Sequence, residues 1–183
     1  KLDSYGKEYL TRQAFEGEYA DFEEPSDANG FTVLNIDKIE ALISYIAEKV
    51  SNLFKVKLMK MLWYVDAFSY KMNGHAMTGM VYRHNTMGAL PVGHYSLMNL
   101  ENLNVHEEES YNFDSMLHIY PIKGMDYSIL SADEKKIIDK VIKKFKNYKA
   151  KDIVEYMHEE KAYIKTKPGD IIPFSLAKDI REF

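Results

Sequence analysis

Cysteine is absent from the 183 residues, which rules out disulfides and thiolate zinc sites within the chain and fits a reducing cytoplasm. No run approaches the roughly 20 apolar residues of a membrane-spanning helix, and no charged-then-apolar signal peptide opens the chain, so no membrane partner is expected. Positive charge is in short supply: 24 Lys and Arg stand against 28 Asp and Glu, a formal net charge of −4. The chain as a whole has no attraction for nucleic-acid phosphates, and any such binding must be local. The first residue is Lys1 rather than Met, from which a further segment upstream is expected.

Catalytic constellations are also missing. His158, Glu159 and Glu160 begin like a zinc-protease motif, but Ala162 stands where the second His is required. His106, Glu107, Glu108 and Glu109 fail in the same way, with Ser110 at the second ligand position. His75, His84, His94 and His118 share no metal-ligand spacing. The stretch from Gly88 to Gly93 has neither the spacing nor the Lys of a phosphate loop, and no Gly-x-Ser-x-Gly elbow occurs. Nucleophile, base and oxyanion site never come together, so the expectation is a chain that is not an enzyme and needs no cofactor or metal.

What is present is an ordinary globular composition, 46% hydrophobic and 28% charged, long enough to bury a core. Residues 1–30 hold eight acids against Lys1, Lys7 and Arg12 and end in Pro25, Ser26, Asn29 and Gly30. They read as an acidic connector with a short helix around Glu8 to Phe15, followed by a domain from 31 to 183. From Ile36 onward Ile39, Leu42, Ile43, Ile46, Ala47 and Val50 recur at helical spacing, with Asn35 placed to cap. Phe54 to Met72 is apolar on nearly every side, which belongs to a central helix, and Asn73-Gly74 supplies a left-handed stop.

Beyond Gly74 the helical period disappears. Met80 to Tyr82 suits a short strand, Gly88 to Gly93 an irregular loop, and Met116 to Ile122 with the polar run His106 to Tyr111 would complete a small sheet. Ser131 and Glu134 form a capping box that starts another helix, with Ile137, Ile138, Val141, Ile142 and Phe145 inward and Lys135, Lys136, Lys140, Lys143, Lys144 and Lys146 outward. A short helix from Lys151 to His158 and a last turn after Ser175 close the chain. The fold class expected is α+β, mainly helical, about five helices with a small antiparallel sheet. The lysine face, with Tyr148 available to stack on a base, is either a nucleic-acid patch or a solvated surface. Lys57 and Lys60 lie in the central helix and must find a partner, Asp66 or another acid, or water at its edge.

The run Lys57-Leu58-Met59-Lys60-Met61-Leu62-Trp63-Tyr64-Val65-Asp66, then Gly74, Thr78-Gly79, Tyr82 and Gly88-Ala89-Leu90-Pro91-Val92, resembles the Panacea or SocA-like antitoxin domain. Leu130-Ser131 with Glu134, then His158-Glu159, Thr166, Gly169 and Ile172, match the second half of the family pattern. Two departures are visible: the family's Gly-Pro-Val is spread over Gly88 to Val92, and Trp63 replaces a Leu or Tyr. The resemblance implies an antitoxin that neutralises a cognate toxin protein by direct contact, often behind an upstream helix-turn-helix domain that binds DNA. Some relatives act instead as adaptors that deliver a toxin to an AAA+ protease. Within this frame Tyr82, His84, His94 and Tyr95 are the candidate partner-binding residues. Leu58, Leu62 and Val65 read as core.

Overall fold

The structure, a computed structural model, describes residues 2–109 and 115–183. Ser110 and Tyr111 of the expected edge strand lie outside the described residues. Helix α1 spans Ser4–Gly17 and α2 spans Ile36–Lys49, the latter capped as its sequence predicts, with the Asn35 side chain accepting from the Lys38 amide at 3.0 Å. Every apolar position assigned to the α2 face is buried.

The central helix α3, Lys55–Asn73, is buried continuously from Lys57 to Tyr70. It ends where Gly74 enters the left-handed region at φ +81°. Of its apolar side chains, Val56 near the first turn and Met72 in the last are exposed. Around α3 pack α5, Ala132–Phe145, and α6, Ala150–His158. The Ser131–Glu134 capping box closes as read, at 2.9 and 3.0 Å. The fold is therefore mainly helical α+β, with five helices of nine or more residues among the described residues.

The strands form two separate antiparallel hairpins rather than one sheet. In the first, β1 (Tyr82–Asn85) pairs with β2 (Gly88–Pro91), the stretch expected as an irregular loop. The Asn85 side chain accepts from the Met87 amide at 3.2 Å, and Gly88 turns the chain back at φ +102°. A short helix, α4 (His94–Met98), follows. In the second hairpin β3 (Asn104–Glu109) pairs with β4 (Ser115–Tyr120), which rests on α2 and α3. A last short helix, α7 (Lys161–Ile164), and a 3-10 turn at Phe174–Asp179 complete the chain.

The acidic segment is not a solvated arm throughout. Its helix runs a full 14 residues, and Phe15, Tyr19 and Asn29 are buried with the rest of the core. Gly30 accepts from the Ala76 amide at 2.8 Å, so residues 15–30 are part of the same packed body as the helices that follow. Alternation of acids with Phe15, Tyr19 and Phe22 hides this burial, because each aromatic stands alone in the sequence and the apolar face is completed only by distant residues.

Candidate functional site

The motif residues do their work inside the fold. Lys57 and Lys60, expected to find Asp66, another acid or the helix edge, are buried and meet backbone carbonyls instead. The Lys57 ammonium donates to the carbonyls of Lys146 and Tyr148 at 2.9 and 2.7 Å, closing the C-terminal end of α5 where carbonyls are left free. Lys60, only 2% exposed, donates to the Ala89 carbonyl at 2.9 Å and so ties α3 to the first hairpin. Burial, with the neighbouring Lys55 charge, lowers its pKa to about 8.

Asp66 is fully buried and takes four donors. The amides of Met77 and Thr78 reach it at 2.8 Å each, the Thr78 hydroxyl at 2.6 Å and the Tyr82 hydroxyl at 2.7 Å. Tyr82, taken above for the partner surface, is thus enclosed at 0% exposure and holds the base of β1. Gly79 is needed because a Cβ there would stand 2.5 Å from the backbone of Val33 and Leu34. A Cβ on Gly88 would meet Met157 Sδ at 2.9 Å and Lys60 Cε at 3.1 Å. Leu58, Leu62 and Val65 are core, and Tyr64 packs its ring against Phe145 and Phe183 with its hydroxyl unpaired.

Lys60, Asp66 and Gly88, with His158, Thr166, Gly169 and Ile172 of the second half of the pattern, converge on one hairpin. On the outer side of β1, the amide of Ile172 donates to Tyr82, that of His84 to Asp170, and that of Gly169 to His84, each at 2.8 Å. Thr166 Oγ1 lies 2.9 Å from His84 Nδ1. Tyr163 stacks between His84 and His158, ring centroids 3.7 and 4.6 Å away, and His158 Nε2 meets the Thr86 carbonyl at 3.1 Å. Tyr19, which the sequence did not single out, donates to the Val92 carbonyl at 2.9 Å and accepts from the Val81 amide at 3.2 Å. The hairpin is clamped from the front, the back and below.

Two hollows flank it. A cleft of about 560 Å³ runs along its outer face, between Arg83, His84 and Thr86 on one wall and Glu18, Asp21 and Gly93 on the other. A smaller pocket of about 210 Å³ lies on the α3 side, lined by Lys55, Val56, Met59, Lys60, Met87 and Leu90. His94 borders both, as do Asn85 and Leu90. Its Nδ1 is 2.8 Å from Lys55 Nζ, and burial beside Lys55 and Lys60 pushes its pKa down to about 4. The imidazole is therefore neutral near pH 7, with Nδ1 accepting from Lys55 and the remaining proton on Nε2.

Above this border stands Tyr95, 73% exposed, its ring 4.2 Å from that of His94 and 4.3 Å from Lys55 Nζ. Met87 at the hairpin tip is 51% exposed. Of the four residues expected at a partner surface, the fold brings His94 and Tyr95 to this face, buries His84 at 8% exposure beneath the Tyr163 ring, and sends Tyr82 into the core. Lys55 and Met87 join them without having been singled out; a lysine and a methionine beside a turn carry no distinguishing signal in sequence.

Among the described residues no group of three or more His, Asp and Glu side chains is placed to hold a metal ion. No helix among them is long and apolar enough to cross a membrane. The packed α+β body thus holds the first hairpin through Lys60, Asp66 and His84. A family model described as Antitoxin SocA-like, Panacea domain, matches residues 58–163, more than half of the chain, and the chain belongs to that family. No curated protein and no solved structure matches it. Membership supports a toxin–antitoxin role, and domains of this antitoxin-like family are generally non-enzymatic.

Proposed function

We propose that this domain neutralises a cognate toxin protein by direct contact in the cytoplasm, gripping it with the face formed by the first hairpin and α4. The observation that carries the reading is the pairing of a rigid scaffold with adaptable anchors. Lys60, Asp66, Thr166 and Gly169 hold the hairpin from several elements, while Tyr95, beside Lys55 and His94, and Met87, on the rim of the smaller pocket, present exposed side chains. Aromatic and Met side chains are enriched at protein interfaces, where a few buried anchors carry most of the affinity. Because the scaffold is fixed beforehand, little ordering entropy is lost on binding. An upstream DNA-binding segment, expected from the resemblance, would make the same chain a repressor of its own synthesis.

The lysine face of α5 is less suited to a partner. Lys140 pairs with Glu182 at 2.7 Å, and Lys144 lies over the rings of Tyr148, Tyr156 and Phe183. Those charges are engaged within the chain.

The test is co-expression of the full chain with the product of the gene adjacent to its own. Relief of that product's toxicity and joint purification of the two proteins are expected. A neighbour that is harmless alone, or whose toxicity is unaffected, would overturn the reading. An adaptor role is separated from it by repeating the measurement in a host lacking AAA+ proteases: direct neutralisation persists there, and delivery for degradation does not.

A further inference from the structure

The pocket between α3 and the hairpin has an unusual balance of polar groups. Lys55, Lys60, His94 and Asn85 line it, and among the described residues no acid does. Lys60 has an ammonium with three donors, and among the described residues its partner is the single carbonyl of Ala89. Lys55 meets the His94 ring nitrogen and the face of Tyr95, neither of which carries a balancing negative charge. Accepting from Lys55 at Nδ1 leaves the Nε2 proton of His94 as a further donor. Glu18 and Asp21 line the neighbouring cleft, and among the described residues the partners of Lys55 and Lys60 are His94 and the Ala89 carbonyl, not these acids. The first turn of α3 contains no acid either, so its positive dipole end adds to the same potential.

We propose that this pocket receives a carboxylate of the protein partner, held by Lys55 and Lys60 with His94 as a neutral donor. The proposal rests on the toxin-binding reading of this face and names the chemistry it recognises. Cationic donors without a counter-charge specify an anion, the one acceptor in the lining, the Asn85 amide oxygen, being taken by the Met87 amide. The walls select among anions: Val56, Met59, Met87 and Leu90 are apolar, which suits a single charge on a short aliphatic stem and disfavours a doubly charged, strongly hydrated phosphate. Two lysines held close together without a counter-charge repel each other, and a carboxylate between them removes that repulsion as it binds. The half-buried setting strengthens the attraction over what it would be on open surface.

The experiment is a titration of the full chain, labelled with nitrogen-15, with N-acetyl-glutamate amide, following the His94 ring signals and the backbone amides of Lys55, Lys60 and Ala89. Saturable shifts at these positions are expected. The glutamine analogue, of the same shape without the charge, should give none. Lys55→Gln should weaken the affinity about tenfold, the scale of one lost charge-assisted hydrogen bond. Lys60→Met, checked for folding by its melting curve, should weaken it at least as much. N-acetylglycine in a parallel arm separates the two sources of a protein carboxylate: stronger shifts than with the glutamate probe assign the pocket to a chain terminus, weaker ones to an acidic side chain.

Inorganic phosphate binding at these signals while both carboxylates stay silent would overturn the assignment. So would silence from every probe, or equal binding by the Lys55→Gln variant. These results are independent of toxin capture. A chain that binds the glutamate probe but rescues no toxin keeps the pocket and loses the antitoxin reading. A chain that rescues a toxin equally well with Lys55→Gln, and ignores the probe, does the reverse.

Discussion

The ammonium of Lys60, in the middle of the most buried helix, lies 2.9 Å from the carbonyl of Ala89, in the second strand of the first hairpin. One bond thus ties the central helix to the first hairpin. It also has an energetic signature. The folded pKa of Lys60, about 8, is below its unfolded value near 10.5, so folding disfavours its charged form. The unfolded chain holds the proton more tightly between those values, and stability therefore rises with pH across that window. Urea unfolding at pH 7.5 and 9.5 should show a gain of about 2 kcal/mol in the wild type relative to Lys60→Met, which lacks the titrating group. An identical pH dependence in the two proteins would contradict this.

Tyr82→Phe removes one hydrogen bond to a buried carboxylate, the 2.7 Å contact with Asp66. A loss of about 1.5–2 kcal/mol in stability is expected. Affinity for the partner, measured well below the melting temperature, should stay unchanged, because the side chain has no exposed surface. A selective loss of affinity at full stability would return Tyr82 to the interface.

Gly74 and Gly79 share φ +81° and differ in surroundings. Gly74 has open space where a methyl group would point, whereas a Cβ on Gly79 would meet the Val33–Leu34 backbone at 2.5 Å. Gly74→Ala should cost about 1 kcal/mol for the left-handed backbone alone. Gly79→Ala adds a clash that only backbone movement relieves, so a cost above about 3 kcal/mol is expected by thermal or chemical unfolding.

Reversing Lys140, Lys143 and Lys144 to Glu should leave partner affinity within about twofold, since that face lies on α5 and away from the hairpin. Fluorescence anisotropy with a single-stranded oligonucleotide gives the complementary reading: no binding by the wild type whose loss follows the reversal. A salt-sensitive affinity abolished by the three changes would restore the nucleic-acid reading.

How much of this was legible depends on where the stabilising partner sits. Helices α2 and α5 were plain because their apolar faces recur every three to four residues and their caps, Asn35 and Ser131 with Glu134, lie within the same few residues. The central placement of α3 followed from its lack of a polar face. The partners of Lys57 and Lys60 were not legible, because they are backbone carbonyls about 90 and 29 residues away that no side-chain pattern announces. The hairpin β1–β2 was read as a loop on its second strand for a related reason. Its glycines weaken strand propensity, and the order comes from Lys60, Tyr19 and the Gly169–Ile172 segment. His94 and Tyr95 follow the hairpin directly in sequence, but the cationic pocket that His94 lines depends on Lys55 and Lys60 brought up by α3, and the burial of His84 depends on Tyr163 and Thr166 about 80 residues away.

Tyr95 offers the sharpest probe of the hairpin face as the toxin-binding surface, being exposed enough that Tyr95→Ala should change stability by no more than about 0.5 kcal/mol. Calorimetric titration of the purified toxin with wild-type and variant chains measures what the ring contributes to binding. A loss of about 2 kcal/mol, roughly thirtyfold in Kd, is expected with the melting temperature unchanged. Equal affinity from Tyr95→Ala, and from the double variant that adds Met87→Ala, would show that the toxin is held somewhere other than the hairpin face.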